Sequence, residues 1–164
     1  AEAAGATGKA PRNAAPSRPG TLSEAGYDAS AIDALAASLR VALRAKPRGK
    51  VFLVTDAMPM VGADAPGFTL YGETITAQDG VVRNAAGALA GSALDMLTAV
   101  RNAVSLLALP LDEAARMAST YPADFLGLSA SHGRIAPGCS ADFVQLDESL
   151  ALRGTWLAGR PMPP

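Results

Sequence analysis

Residues 51–55 read Val-Phe-Leu-Val-Thr, a short apolar run rich in β-branched side chains. Ahead of it, Ile32, Leu35, Leu39 and Leu43 recur at spacings of three and four, which predicts an amphipathic helix over 28–46. A helix feeding a buried apolar strand is the grammar of an α/β layer, with the strand in a parallel sheet. Pro47, Arg48, Gly49 and Lys50 make the intervening turn. Asp56 closes the run, and Pro59 and Gly62 mark the loop after it. The C-terminal end of a parallel strand is where α/β folds and barrels place reacting groups. The same position also suits a carboxylate that merely caps a turn.

Composition limits the core. Of 164 residues 36 are alanine and 5% are aromatic, so comparatively few large side chains must build it. The formal net charge of -1 argues against a nucleic-acid partner. No apolar run approaches the roughly 20 residues of a membrane span, and residues 1–20 lack the apolar stretch of a secretory signal. Residues 1–27, small, polar and Pro/Gly-rich, are expected to be disordered or foreign to the fold that follows. The single cysteine, Cys139, excludes an internal disulfide and suits a reducing cytoplasm. The single histidine, His132, excludes a multi-histidine metal site built by this chain alone.

Beyond residue 66 the pattern shortens. Gly67, Gly72 and Asp79-Gly80 punctuate Phe68, Leu70, Ile75, Val81 and Val82, predicting an antiparallel meander over 67–84. Residues 85–91 read as a small-residue loop. Ser92 is expected to cap a helix, with Asp95 in its first turn as a capping box. A second helix follows Pro110, a short third spans 121–128, and strands are expected at 142–147 and 155–158 before a Pro-rich tail.

Other candidates for chemistry are weak. His132 lies in a loop and reads as a solvated side chain. Cys139 has no visible activating partner, so it is not expected to be a nucleophile. The cluster Arg40, Arg44, Lys46, Arg48 and Lys50 reads as favourable charge at a helix C-terminus, with an anion-binding patch as the sharper alternative. Arg101 and Asn102, polar on an apolar helix, either face solvent or bond into a neighbouring layer.

The segment VFLVTDAMPMVG at 51–62 resembles the last barrel strand of N-acetylglucosamine-6-phosphate deacetylases of the amidohydrolase superfamily. The likeness continues in order through GALAGSALDMLTAVRNAV (87–104), LDEAARMASTYPADFLGL (111–128), GRIAPGCSADFVQLD (133–147) and TWLAGRP (155–161). It covers residues 38 to 161. The resemblance implies the α/β fold class: the C-terminal end of a (β/α)8 metal-dependent hydrolase barrel plus part of a small β-sandwich domain. The barrel's last helix and strand would occupy 28–66, barrel-wall helices 85–130, and sandwich strands 67–84 and 131–164. Asp56 matches the catalytic aspartate, and Leu89, Ala90 and Gly91 match a loop that contacts the sugar phosphate. The implied reaction is hydrolysis of N-acetylglucosamine 6-phosphate to glucosamine 6-phosphate and acetate, in a cytoplasmic homo-oligomer without nucleic-acid or membrane partners.

The family's divalent metal, of zinc or iron type, is held by a glutamate and two histidines upstream of that strand, and this chain offers no ligand for it. A substrate-binding histidine expected near 30–34 aligns with Asp33. Residues 1–37 look foreign to the family, the pattern a reading-frame error or false start would leave. The alternative expectation is therefore a non-catalytic truncated chain, or a subunit that completes another polypeptide's barrel.

Overall fold

The computed structural model describes residues 29–63, 65, 67–78 and 81–163. The expectations for 1–27 and for the Asp79-Gly80 turn lie outside these. Helix α1 spans Ala29–Ala45, within a residue of the periodicity. Its apolar stripe is only partly covered: Ala36 is buried, whereas Leu35 and Leu39 are 62% and 44% exposed. Arg40 at its far end donates to the Leu106 carbonyl at 2.6 Å.

Residues 51–56 join no strand, which corrects the expected barrel strand. Every ladder among the described residues is antiparallel and closes within two local sheets, and the run meets a parallel partner only at its end, in the isolated Ala57–Ser92 bridge. The run is instead held by helices. Leu53 N–H donates to the Met117 carbonyl at 2.9 Å, and the rings of Phe52 and Phe125 lie 5.3 Å apart. Val54 is left 71% exposed.

The meander is built as its turns dictate. Strands β1 (Gly67–Leu70), β2 (Glu73–Gln78), β3 (Val81–Arg83) and β4 (Leu89–Ser92) form one antiparallel sheet in chain order. Leu70 faces Glu73 across Tyr71 and Gly72, whose φ angles are +51° and +83°. That pair gives the two left-handed residues a tight two-residue hairpin requires. The buried face carries Ile75 and Val82, packed with Met60 and, more peripherally, Met58, Phe68 and Ala90. The expected loop at 85–91 is corrected, because its last three residues belong to β4. The turn before it is an Asn84 device: Asn84 Oδ1 accepts from the Ala86 and Ala88 N–H groups.

Helix α2 (Met96–Ser105) begins later than expected. Asp95, not Ser92, is the cap: its Oδ1 accepts from Thr98 N–H at 2.8 Å. The Ser92 backbone is already committed to β4, and its hydroxyl accepts from Leu94 N–H. Helix α3 (Leu111–Ala118) follows Pro110, and α4 (Thr120–Phe125) is shorter than the 121–128 expected. Val100, Ala103 and Ala114 form the buried contact between α2 and α3, with Leu53 packed against it. This is where the alanine-rich composition acts, since small side chains let helix backbones approach closely.

Strands β5 (Phe143–Leu146), β6 (Leu152–Leu157) and β7 (Arg160–Pro161) make a second antiparallel sheet. β6 is longer than the strand expected at 155–158, and part of the expected tail pairs as β7. Phe143 and Trp156 stack across β5 and β6 at 4.9 Å. Arg101 resolves its alternatives by donating from Nε to the Leu150 carbonyl at 2.9 Å, tying α2 to the β5–β6 turn.

Candidate functional site

Asp56 is exposed, and its backbone is left-handed, with φ at +51°. Aspartate tolerates that region better than most residues, because a short polar side chain relieves part of the steric cost. Two hydrogen bonds pin the conformation. Ser92 N–H donates to the Asp56 carbonyl at 3.0 Å, and Met58 N–H donates to the Ser92 carbonyl at 2.9 Å. Ala57 and Ser92 thereby form a parallel bridge, which joins the 51–56 run to the end of β4. The exposed Asp56 carboxylate has no hydrogen-bond or ion-pair partner among the described residues.

The bridge sets the sugar-phosphate candidates beside Asp56. Gly91 has φ +93°, and a Cβ built on it would overlap the Met58 side chain and lie 3.4 Å from the Asp56 carbonyl oxygen. Ala90 packs on the meander core, while Leu89 is 69% exposed. The structure thus brings Asp56 and Leu89–Gly91 to one locus. Met58 and Ser92, which join them, read in the sequence as loop and helix cap and not as a link between the two segments. A lone serine before a helix suggests a cap, and a left-handed aspartate leaves no periodic trace.

The approach to Asp56 is fixed from the other side. Arg48 and Arg116 converge on Glu113 Oε2, at 2.7 and 2.9 Å, and Tyr121 Oη donates to Oε1 at 2.8 Å. Burial would raise the Glu113 carboxyl, but hydrogen bonds from Arg48, Tyr121 and Arg116 outweigh it and hold the group at about 2. Arg116 also pairs with Asp112 at 2.6 Å. This network anchors residue 48 to α3, so the run to Asp56 is clamped at both ends. Arg48 and Arg40 have defined protein partners, which favours the structural reading of the basic cluster.

The remaining candidates lie elsewhere. His132 is exposed, with Nδ1 2.8 Å from Ser131 Oγ in its own loop. Asp33 is exposed on α1, and the Cys139 thiol is free and half-buried. Among the described residues no three His, Cys, Asp or Glu side chains come together as a metal centre. The metal that the resemblance implies therefore does not fit these residues, and no step is derived through it.

The amidohydrolase family model matches residues 21–162, so the chain belongs to the amidohydrolase family. The match begins ahead of residue 38, where the motif resemblance starts. Its fold class is that family's α/β architecture, a metal-dependent hydrolase barrel with an accompanying β-sandwich, of which the chain carries part.

Within the family, the chain is similar to amino-sugar-6-phosphate deacetylases. It is 41% identical over 111 residues to a putative N-acetylgalactosamine-6-phosphate deacetylase of Escherichia coli K12, covering 68% of this chain and 66% of that protein. It is 40% identical over 136 residues to the N-acetylglucosamine-6-phosphate deacetylase of Bos taurus, covering 82% of this chain and 33% of that one. The crystal structure of the Pasteurella multocida N-acetylglucosamine-6-phosphate deacetylase superposes with a TM-score of 0.72 at 32% identity, over 79% of this chain and 34% of that one. A mutant Mycobacterium smegmatis enzyme, solved in complex with N-acetyl-D-glucosamine-6-phosphate, gives 0.67 at 32% identity, over 79% and 36%. Apart from the E. coli K12 protein, the chain spans about a third of the length of these relatives.

Proposed function

We propose that the chain supplies the acid/base group and part of the substrate loop for hydrolysis of N-acetylglucosamine 6-phosphate to glucosamine 6-phosphate and acetate. The observation that carries this reading is the Asp56 carboxylate, unpartnered among the described residues and bridged through Ser92 to Leu89–Gly91, in a chain similar to deacetylases. Asp56 takes a proton from the attacking water as the water oxygen bonds to the acetyl carbon. It returns a proton to the amide nitrogen as the carbon–nitrogen bond breaks. Leu89, Ala90 and Gly91 hold the sugar phosphate, in part through backbone. When bound, a divalent zinc- or iron-type ion would supply the electrophilic activation that hydrolysis of an amide at neutral pH requires, and its ligands are not among the described residues. The setting proposed is cytoplasmic, in a homo-oligomer, with neither nucleic acid nor membrane as partner. No described helix is long and apolar enough to cross a membrane.

A second reading, a non-catalytic subunit that completes a barrel on another polypeptide, is favoured by one observation. Leu35, Val41, Val54 and Phe125 are each more than 60% exposed, an unusual load of uncovered apolar side chains for a small protein.

One experiment separates the two. The chain is combined with a polypeptide carrying the part of the Pasteurella multocida enzyme outside the matched third, and acetate release is followed with zinc or iron(II) present. The first reading predicts release from N-acetylglucosamine 6-phosphate, at least tenfold faster than from the sugar without phosphate. Assembly without acetate release overturns it in favour of the second. The galacto epimer, assayed alongside, decides which sugar is preferred.

A further inference from the structure

We propose that Gly91 and Ser92 are positioning residues for Asp56, so that occupancy of the sugar-phosphate loop is transmitted to the acid/base through the backbone bridge between them. This inference rests on the reading of Asp56 and Leu89–Gly91 given above and adds how the two act together.

Three observations carry it. Asp56 holds a left-handed φ of +51°, a conformation that persists in a non-glycine residue when its surroundings impose it. What imposes it is the reciprocal pair of hydrogen bonds, Ser92 N–H to Asp56 C=O and Ser92 C=O to Met58 N–H, at 3.0 and 2.9 Å. Those bonds form because Gly91, at φ +93° and without a Cβ, leaves room for the Met58 side chain to close over it. Met58 and Ala90 both pack on the cluster of Met60, Ile75 and Val82, so the bridge is backed by the sheet. A ligand that displaces the backbone of residues 89–91 must therefore displace the Asp56 carbonyl, and with it the direction of the carboxylate.

The test uses the full chain, isotopically labelled, with N-acetylglucosamine 6-phosphate as the probe. The native chain is expected to show the amides of Leu89, Ala90 and Gly91 and the Asp56 carboxyl carbon shifting with one half-saturation concentration. Gly91→Ala is expected to displace the Ala57, Met58 and Asp56 signals with no sugar present, and to reduce the Asp56 carboxyl response at least threefold. Met58→Ala in that background removes the overlap with the new methyl but not the strain of alanine at φ +93°, and is expected to restore the response only in part. Loop amides that shift while the Asp56 carbon stays still overturn the coupling. So does a Gly91→Ala chain, shown to be folded by its remaining spectrum, with unmoved Asp56 signals. If the probe shifts none of residues 89–92, the sugar-phosphate reading of the loop fails. The coupling is then decided by the ligand-free displacement alone.

Discussion

Replacing Glu113 with glutamine should destabilise the chain at neutral pH, and by less as pH falls below about 4.5. In the native chain Glu113 Oε2 accepts from Arg48 at 2.8 and 2.7 Å and from Arg116 at 3.1 and 2.9 Å, while Oε1 accepts from Tyr121. Burial works against the charged form, yet these bonds hold the carboxyl at about 2, against an ordinary 4.5. At about 1.4 kcal/mol per pKa unit the full shift would correspond to about 3 kcal/mol. Screening cuts this to about 1–2 kcal/mol, because the Arg48 side chain is 67% exposed although that of Glu113 is only 18%. The carboxyl is depressed in the fold, so its contribution is complete above pH 4.5 and is lost as pH falls toward 2. Urea unfolding of the native chain and Glu113→Gln at pH 7, 5 and 3 measures the difference directly. Asp95, Asp142 and Asp147 are also held below the ordinary range, by hydrogen bonds and ion pairs, but they lie outside this network and cancel between the two chains; Asp112 shares Arg116 with Glu113, so its part is measured separately in Asp112→Asn. The expected gap is about 1–2 kcal/mol at pH 7 and nearly the same at pH 5, falling to roughly half of that at pH 3. A gap independent of pH would refute the electrostatic reasoning and leave glutamine's shape as the cause.

Asp95→Ala removes the α2 cap and should cost about 1 kcal/mol, read from thermal unfolding at pH 7. Ala114→Leu forces a branched side chain into a position with 0% exposure between α2 and α3, and should cost about 1–3 kcal/mol or prevent folding. Val54→Asp places charge on the uncovered run before Asp56. It should reduce the concentration dependence of sedimentation relative to the native chain if that apolar face drives self-association.

Much of this architecture could be read from local chemistry. The meander was legible because Gly72 and the alternating apolar residues around Ile75 and Val82 specify hairpins without help from distant parts of the chain. Helix α3 was legible from Pro110 and the acidic first turn of Asp112 and Glu113, and β5 from its apolar run ahead of Asp147. What escaped was non-local. Strand β4 is Leu-Ala-Gly-Ser, with too little apolar contrast to show a period of two, and it forms because β3 offers an open edge. The cap of α2 moved from Ser92 to Asp95 because Ser92 was claimed by its bridge to Ala57. Residues 51–55 have a strand's composition but no parallel neighbour among the described residues. The candidate site divides in the same way. Asp56 stands out by its place after an apolar run, but its proposed role, like those of Leu89, Ala90 and Gly91, comes from family resemblance. The bridge that joins them depends on a left-handed aspartate and on a glycine facing a methionine from another segment.

The most direct measurement is the rate of acetate release from N-acetylglucosamine 6-phosphate by native and Asp56→Asn chains, each assembled with the complementary part of a relative and supplied with zinc or iron(II). Asparagine keeps the shape and tolerates the left-handed backbone, so the substitution removes the proton-transfer group and little else. If Asp56 carries the proton between water and the amide nitrogen, kcat falls about 10²–10⁴-fold while KM changes little. Equal rates from the two chains would contradict that role and return the chain to a purely structural part in the assembly.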